Sequence, residues 1–186
     1  MLYVPMTPRI TVFALFAAMG CSSKIADPPS TLATRLFQHE ILGVSFEIPD
    51  SWQITTEPTA TGTVLVFSSL PGSPSHFSTT TLQARPADTG DDLNNASLEG
   101  ALVRAHAEVV KLSTFAWHQR DPILLAGKPA LRYGLEVELH ESRQLKHGVL
   151  CVGNGLLYNL AYSATPEIFA LGIADFEQIL HTITID

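Results

Sequence analysis

Gly43-Val-Ser-Phe-Glu-Ile-Pro-Asp-Ser-Trp52 is the stretch that decides the architecture of this chain. Val44, Phe46 and Ile48 alternate with Ser45 and Glu47, the period of a strand with one buried face. Pro49-Asp50-Ser51 turns the chain, and Trp52 and Ile54 open a second strand. The same reading predicts a third strand from Gly62 to Ser68 and a Thr-rich fourth from Phe77 to Ala84. Pro71 to Pro74 and Pro86 to Asn95 read as loops.

Beyond the second loop the period changes. Leu98, Ala101, Leu102, Ala105, Val109 and Leu112 recur at three- and four-residue steps and predict a helix with one apolar stripe. Glu99 near its start and Lys111 near its end suit the helix dipole. The β pattern resumes around Ile123 to Leu125, followed by a turn at Ala126 to Pro129. Tyr133, Leu135, Val137 and Leu139 then face one way, and Arg132, Glu136, Glu138 and His140 the other. A polar hairpin is expected from Glu141 to Gln144.

Gly148 to Gly153 is apolar on both parities, as in a central strand covered on both faces. Asn154-Gly155 is a two-residue hairpin signal, with a return strand from Leu156 to Tyr162. Thr165 and Pro166 read as the cap and first position of a second helix. Its stripe is Phe169, Ile173, Phe176 and Leu180, and Thr182 to Ile185 reads as a last short strand. Hairpin-linked strands and two stripes in need of burial predict an α+β fold: a mostly antiparallel β-sheet with two packed amphipathic helices.

The N-terminus carries an address. Arg9 precedes the apolar run Ile10 to Met19, and Gly20-Cys21 follows, so that a secretory signal ends in a site resembling the lipobox of bacterial lipoproteins. The run falls short of the roughly 20 residues a spanning helix needs. Residues 1–20 are then the signal peptide and Cys21 the lipidation site; residues 21–35, with Pro28-Pro29, are a flexible tether to a domain over 36–186. Met6 is an alternative start, and cleavage without acylation is the alternative fate of Cys21. Ser22 after the cysteine implies the outer rather than the inner membrane in lipoproteins of this kind. The expected location is the bacterial cell envelope, lipid-anchored and facing the periplasm.

The 186 residues carry a formal net charge of −7, and Arg9 is the single charged residue of the signal. An acidic body argues against nucleic acid, which needs clustered Lys and Arg, and against adhesion to anionic headgroups. Membrane contact is expected through N-terminal acyl chains. Of the two cysteines, acylation of Cys21 leaves Cys151 unpartnered, and its apolar surroundings read as those of a buried, inert thiol.

Gly43 to Trp52 resembles the opening strand and turn of the PsbP/DcrB-like fold, which also includes the Mog-type Ran-binding proteins. Ser97-Leu-Glu99, Leu125-Ala-Gly-Lys-Pro-Ala130 and Tyr158-Asn-Leu-Ala-Tyr162, then Phe169 and Phe176, are similar to that family's helix start, turn, last strand and closing helix. The resemblance spans Leu36 to Asp186 and implies a PsbP-like α/β/α sandwich. It also implies protein binding without catalysis. The matching residues are packing and turn residues, so no binding residue is carried over.

Chemistry is sparse. His106-Ala-Glu108 lacks the i,i+4 spacing of a helical metal pair. His140 and His147, with Glu138 or Glu141, could approach across the hairpin, but solvated hairpin residues are the simpler reading. Ser75-His76 sits in a proline-rich loop without a nucleophile elbow. Glu136 and Glu138 share a strand face with Arg132, as a salt-bridged outer face would. No catalytic, cofactor-binding or metal-binding residue is therefore assigned, and Cys21 is the one site. The expected function is a non-catalytic protein-binding or assembly module for an envelope protein. Its surface would be the Arg132/Glu136/Glu138 face with the hairpin, or the Pro86–Asn95 loop. The alternative is a binder or chaperone of an apolar or lipidic ligand, or of a hydrophobic segment, in a cleft between sheet and helix.

Overall fold

The stretch from Gly43 to Trp52 does not stay in one sheet. In the computed structural model, β2 (Val44–Pro49) lies between β1 (Thr34–His39) and β10 (Thr184–Ile185) in a three-stranded sheet. The turn after Pro49 then passes the chain to β3 (Trp52–Thr59), the edge of a seven-stranded sheet. The other members are β4 (Gly62–Ser69), β5 (Thr79–Pro86), β6 (Thr114–Leu125), β7 (Lys128–Leu139), β8 (Ser142–Gly153) and β9 (Leu156–Ala164). Their spatial order is β3-β4-β5-β9-β8-β7-β6, and every pairing in both sheets is antiparallel. The helices are α1 (Asn95–Ala105) and α2 (Pro166–Thr182). The structure describes residues 33–59, 62–69, 78–87, 95–107, 114–139 and 142–186. The expected signal peptide, Cys21, nearly all of the tether, and the pairs Ser75-His76 and His140-Glu141 lie outside them.

The large sheet is covered on both faces. On one, Leu98, Ala101 and Leu102 of α1 pack on Leu131, Tyr133, Leu135, Val137, Leu150, Leu157 and Ala161. On the other, α2 and the small sheet enclose a larger core that includes Phe46, Ile48, Phe67, Leu82, Val149, Cys151, Tyr158, Tyr162 and Phe176. β8 and β9 feed both cores from alternate residues, as the double-parity run Gly148 to Gly153 requires. The two sheets are joined at Phe46, whose ring lies 5.4 Å from that of Phe67, and by the Tyr158 hydroxyl, which donates to the Leu42 carbonyl at 2.6 Å.

Three expectations change in detail. β1 begins at Thr34, two residues ahead of the expected domain start, and Arg35 donates from it to the Trp52 carbonyl at 2.7 Å. β7 and β8 pair from Leu139↔Ser142 onward, so Arg143 and Gln144 belong to a strand rather than to a polar hairpin. Long cross-strand pairing extends the ladder beyond the apolar residues that announced it. Thr165 occupies the cap of α2, but its side chain makes no cap bond; its carbonyl accepts from Ile168 and Phe169. Val109 and Leu112 of the first expected stripe lie outside the described residues.

Gly148 carries the closest contact between β8 and the core under α1. A Cβ there would fall inside the van der Waals envelope of the Tyr133 ring, which is fully buried and donates to Asn159 at 2.7 Å. Gly148→Ala is expected to lower unfolding free energy by about 1–3 kcal/mol through overpacking. Urea denaturation measures it, and an unchanged midpoint would show that the ring can yield.

Candidate functional site

A single irregularity in β6 builds the site. Trp117 pairs with Leu135 and Gln119 with Gly134, leaving His118 as the extra residue of a β-bulge. Strict alternation would put Trp117 and Gln119 on the same face. The bulge instead leaves Trp117 under α1 and turns both His118 and Gln119 to the α2 side. Arg120 returns to the α1 side, where it pairs with Glu99 at 3.1 Å and lies 5.7 Å from the Trp117 ring centroid.

Gln119, Gly134, His147 and Tyr162 then form a row across β6, β7, β8 and β9. Gly134 supplies no side chain, so the His147 ring lies across it: a Cβ at Gly134 would come 3.1 Å from His147 Cδ2. The ring reaches Gln119, with Nε2 3.0 Å from Oε1. The Phe169 ring of α2 meets it edge-on at 6.0 Å between centroids. Between these groups is a cleft of about 280 Å³, lined in part by His118, Gln119, Gly134, Leu145, His147 and Phe169. Burial first, and Arg132 second, hold His147 below the usual histidine pKa; Glu177 opposes them.

Charged groups edge the cleft. Arg132 donates to Glu177 of α2 at 2.8 Å. Glu136 is shared: Arg143 donates to it through both Nε and Nη2, and His118 Nε2 stands 3.2 Å away. The Arg143 hydrogen bonds, ahead of the His118 contact, keep Glu136 below the usual carboxylate pKa. Glu138 is exposed on the same face, one alternate position farther along β7. Of the Arg132/Glu136/Glu138 face expected from the sequence, Arg132 and Glu136 are thus ion-paired at the border of the cleft, and Glu138 is exposed beside them.

His147 keeps its place on this face, while His140 and Glu141 lie outside the described residues. Among the described residues, no three His, Cys, Asp or Glu side chains are placed to hold a metal ion, and no helix is long and apolar enough to cross a membrane. Cys151 is buried, and desolvation pushes its thiol up to about 11, the reverse of a reactive cysteine.

His106 is away from the cleft, beneath the end of α1. It sits between the rings of Trp117 and Tyr133, at 5.7 and 5.2 Å between centroids. Its Nδ1 is 3.0 Å from the Leu102 carbonyl, and its buried Nε2 has no hydrogen-bond partner among the described residues. Desolvation, then the charge of Lys146, lowers its pKa from the ordinary 6.5 to about 4.

The bulged, two-sided sheet with its second small sheet defines an α+β fold of the PsbP and Mog1 kind. Among the solved structures that share it are the following three. The solution structure of cyanobacterial PsbP (CyanoP) from Synechocystis sp. PCC 6803 is 12% identical over 83% of this chain and 94% of that one, with a TM-score of 0.63. The Saccharomyces cerevisiae Ran-binding protein Mog1p is 6% identical over 83% and 96%, with a TM-score of 0.59. LpqN, involved in cell envelope biogenesis of Mycobacterium tuberculosis, is 17% identical over 82% and 90%, with a TM-score of 0.52. No family model matches the chain, and no curated protein matches its sequence.

His106 makes stability depend on pH. Its folded pKa lies below its unfolded one, so the unfolded state binds the proton first and stability falls as pH drops from 6.5 towards 4. The loss due to this residue is about 3 kcal/mol at most, at 1.36 kcal/mol per unit. Urea midpoints of wild type and His106→Leu, followed from pH 7 to pH 4, should diverge: the variant loses that part of the slope. Parallel curves would assign the acid sensitivity elsewhere.

Proposed function

We propose that this chain is a non-catalytic binding module of a bacterial cell envelope, anchored through acylated Cys21 and engaging an envelope protein with the cleft between β6–β8 and α2. The observation that supports this most is the state of the polar groups around the cleft. His118 and Arg143 bind Glu136, His147 binds Gln119, and Arg132 binds Glu177. General acid–base work requires a titrating group free to meet substrate, oriented by a third group. Here Arg143 is engaged by Glu136 and Arg132 by Glu177, and His118 and His147 are each held through one ring nitrogen, which suits a recognition border.

Size argues the same way. At about 280 Å³ the cleft lies just under the roughly 300–1,000 Å³ of small-molecule pockets. It suits one side chain of a partner better than a lipid, so the apolar-ligand reading is second. That LpqN, with this fold, is involved in cell envelope biogenesis fits the envelope setting; fold analogy alone assigns no partner. The lipobox-like Gly20-Cys21 supports the anchor, and Ser22 the outer membrane.

Two measurements test this. Wild type grown with a palmitate label should incorporate it and partition into the detergent phase, while Cys21→Ala should do neither. Label retained in the variant would exclude this anchor. Affinity capture of the full chain from detergent-solubilised envelopes should recover one stoichiometric protein, depleted by Phe169→Ala. A co-purified small apolar molecule in native mass spectrometry, with no protein captured, would favour the second reading.

A further inference from the structure

The cleft has apolar walls and an acidic border. Phe169, Leu145 and the His147 ring line it, and Gly134 deepens its floor. Four carboxylates surround it, Glu136, Glu138, Glu167 and Glu177, against two guanidinium groups, Arg132 and Arg143. Arg143 senses Glu136, Glu138 and Glu167, and His147 senses both Arg132 and Glu177. Lys146 also borders the cleft. As the β8 neighbour of His147, however, it points to the opposite face, where its charge acts on His106. Arg132 and Arg143 are already committed to Glu177 and Glu136, so the excess negative charge lies with Glu138 and with Glu167, which is hydrogen-bonded by Thr165.

We infer that the cleft receives one large apolar side chain of a partner protein segment, and that basic residues flanking this anchor meet the carboxylate border. This deepens the binding-module reading and rests on it. The cleft volume of about 280 Å³ is room enough for one large side chain, since about 150 Å³ already holds a benzene ring. The walls offer His147 and Phe169 rings, already 6.0 Å apart and edge-on, against which an aromatic anchor can pack in offset or edge geometry. The excess carboxylates lie at the border, where charge complementarity sets on-rate and partner choice more than affinity. The chain's net charge of −7 adds a long-range field of the same sign.

The test uses the full chain in detergent and three fluorescently labelled peptides: Gly-Ser-Lys-Lys-Phe-Lys-Lys-Gly-Ser, the same peptide with Glu for Lys, and the same with Gly for Phe. In fluorescence polarisation at low salt, the first is expected to bind at least tenfold more tightly than either of the others. Phe169→Ala should weaken it about tenfold. Glu138→Lys, at an exposed position that leaves the fold intact, should weaken the basic peptide and strengthen the acidic one. Raising the salt should erase the difference between Lys and Glu flanks and leave the Phe dependence. Equal binding of the basic and acidic peptides, no effect of Glu138→Lys, or no binding of any peptide would overturn the inference. A partner still captured from envelopes would in that case leave the binding-module reading standing; failure of both experiments would remove both.

Discussion

Two-sided burial of β8 and β9 is the constraint from which the rest of the structure follows. These neighbouring strands in the interior of the large sheet carry apolar residues on both parities: Val149, Cys151, Tyr158, Leu160 and Tyr162 on one face, Leu150, Leu157 and Ala161 on the other. Each fully buried Val, Leu or aromatic side chain contributes roughly 1.5–3 kcal/mol, so neither face can be left to solvent. Among the described residues, α1 is the helix on one face. On the opposite face α2 shares the cover with the three-stranded sheet, whose Phe46 and Ile48 are fully buried. The small sheet is thus a lid on a core, and the Tyr158–Leu42 hydrogen bond fixes it there.

The parts of the fold that were legible are those whose apolar residues keep one period, or run unbroken, along the element. Val44, Phe46 and Ile48, the two helix stripes, and the double-parity run of β8 all announced themselves. β1 did not, because it lies at the edge of the small sheet with Leu36 67% exposed and only Phe37 packed inward, so its apolar residues keep no period of two. That the turn at Pro49 changes sheets, rather than making a hairpin, was also not readable. A turn of this kind serves either purpose, and β2 and β3 choose different partners through contacts distant in sequence.

The site was half legible for a related reason. The alternation in β7 placed Arg132, Glu136 and Glu138 on one face, and that face does border the cleft. The cleft itself depends on the bulge at His118, which breaks the period in β6 and hid the first half of that strand along with the site. A faint signal was present in Gly134, a glycine inside an otherwise well-patterned strand, which often marks close approach by another group. What approaches is His147, and only the β7–β8 register brings the two together.

This arrangement separates folding from recognition. The cores that hold the fold together, one under α1 and one enclosed by α2 and the small sheet, consist mainly of apolar side chains. The groups at the cleft border are partly exposed: Arg143 keeps 60% of its side-chain surface while bound to Glu136, and Arg132 28% beside Glu177. Such solvent-screened pairs contribute little to stability. On the proposed reading, a partner would displace or extend them at little cost to the domain. Gly134 links the two roles. The glycine that gives His147 room to cross β7 also lines the hollow beside Phe169, so backbone close-packing inside the sheet shapes the cleft on its surface.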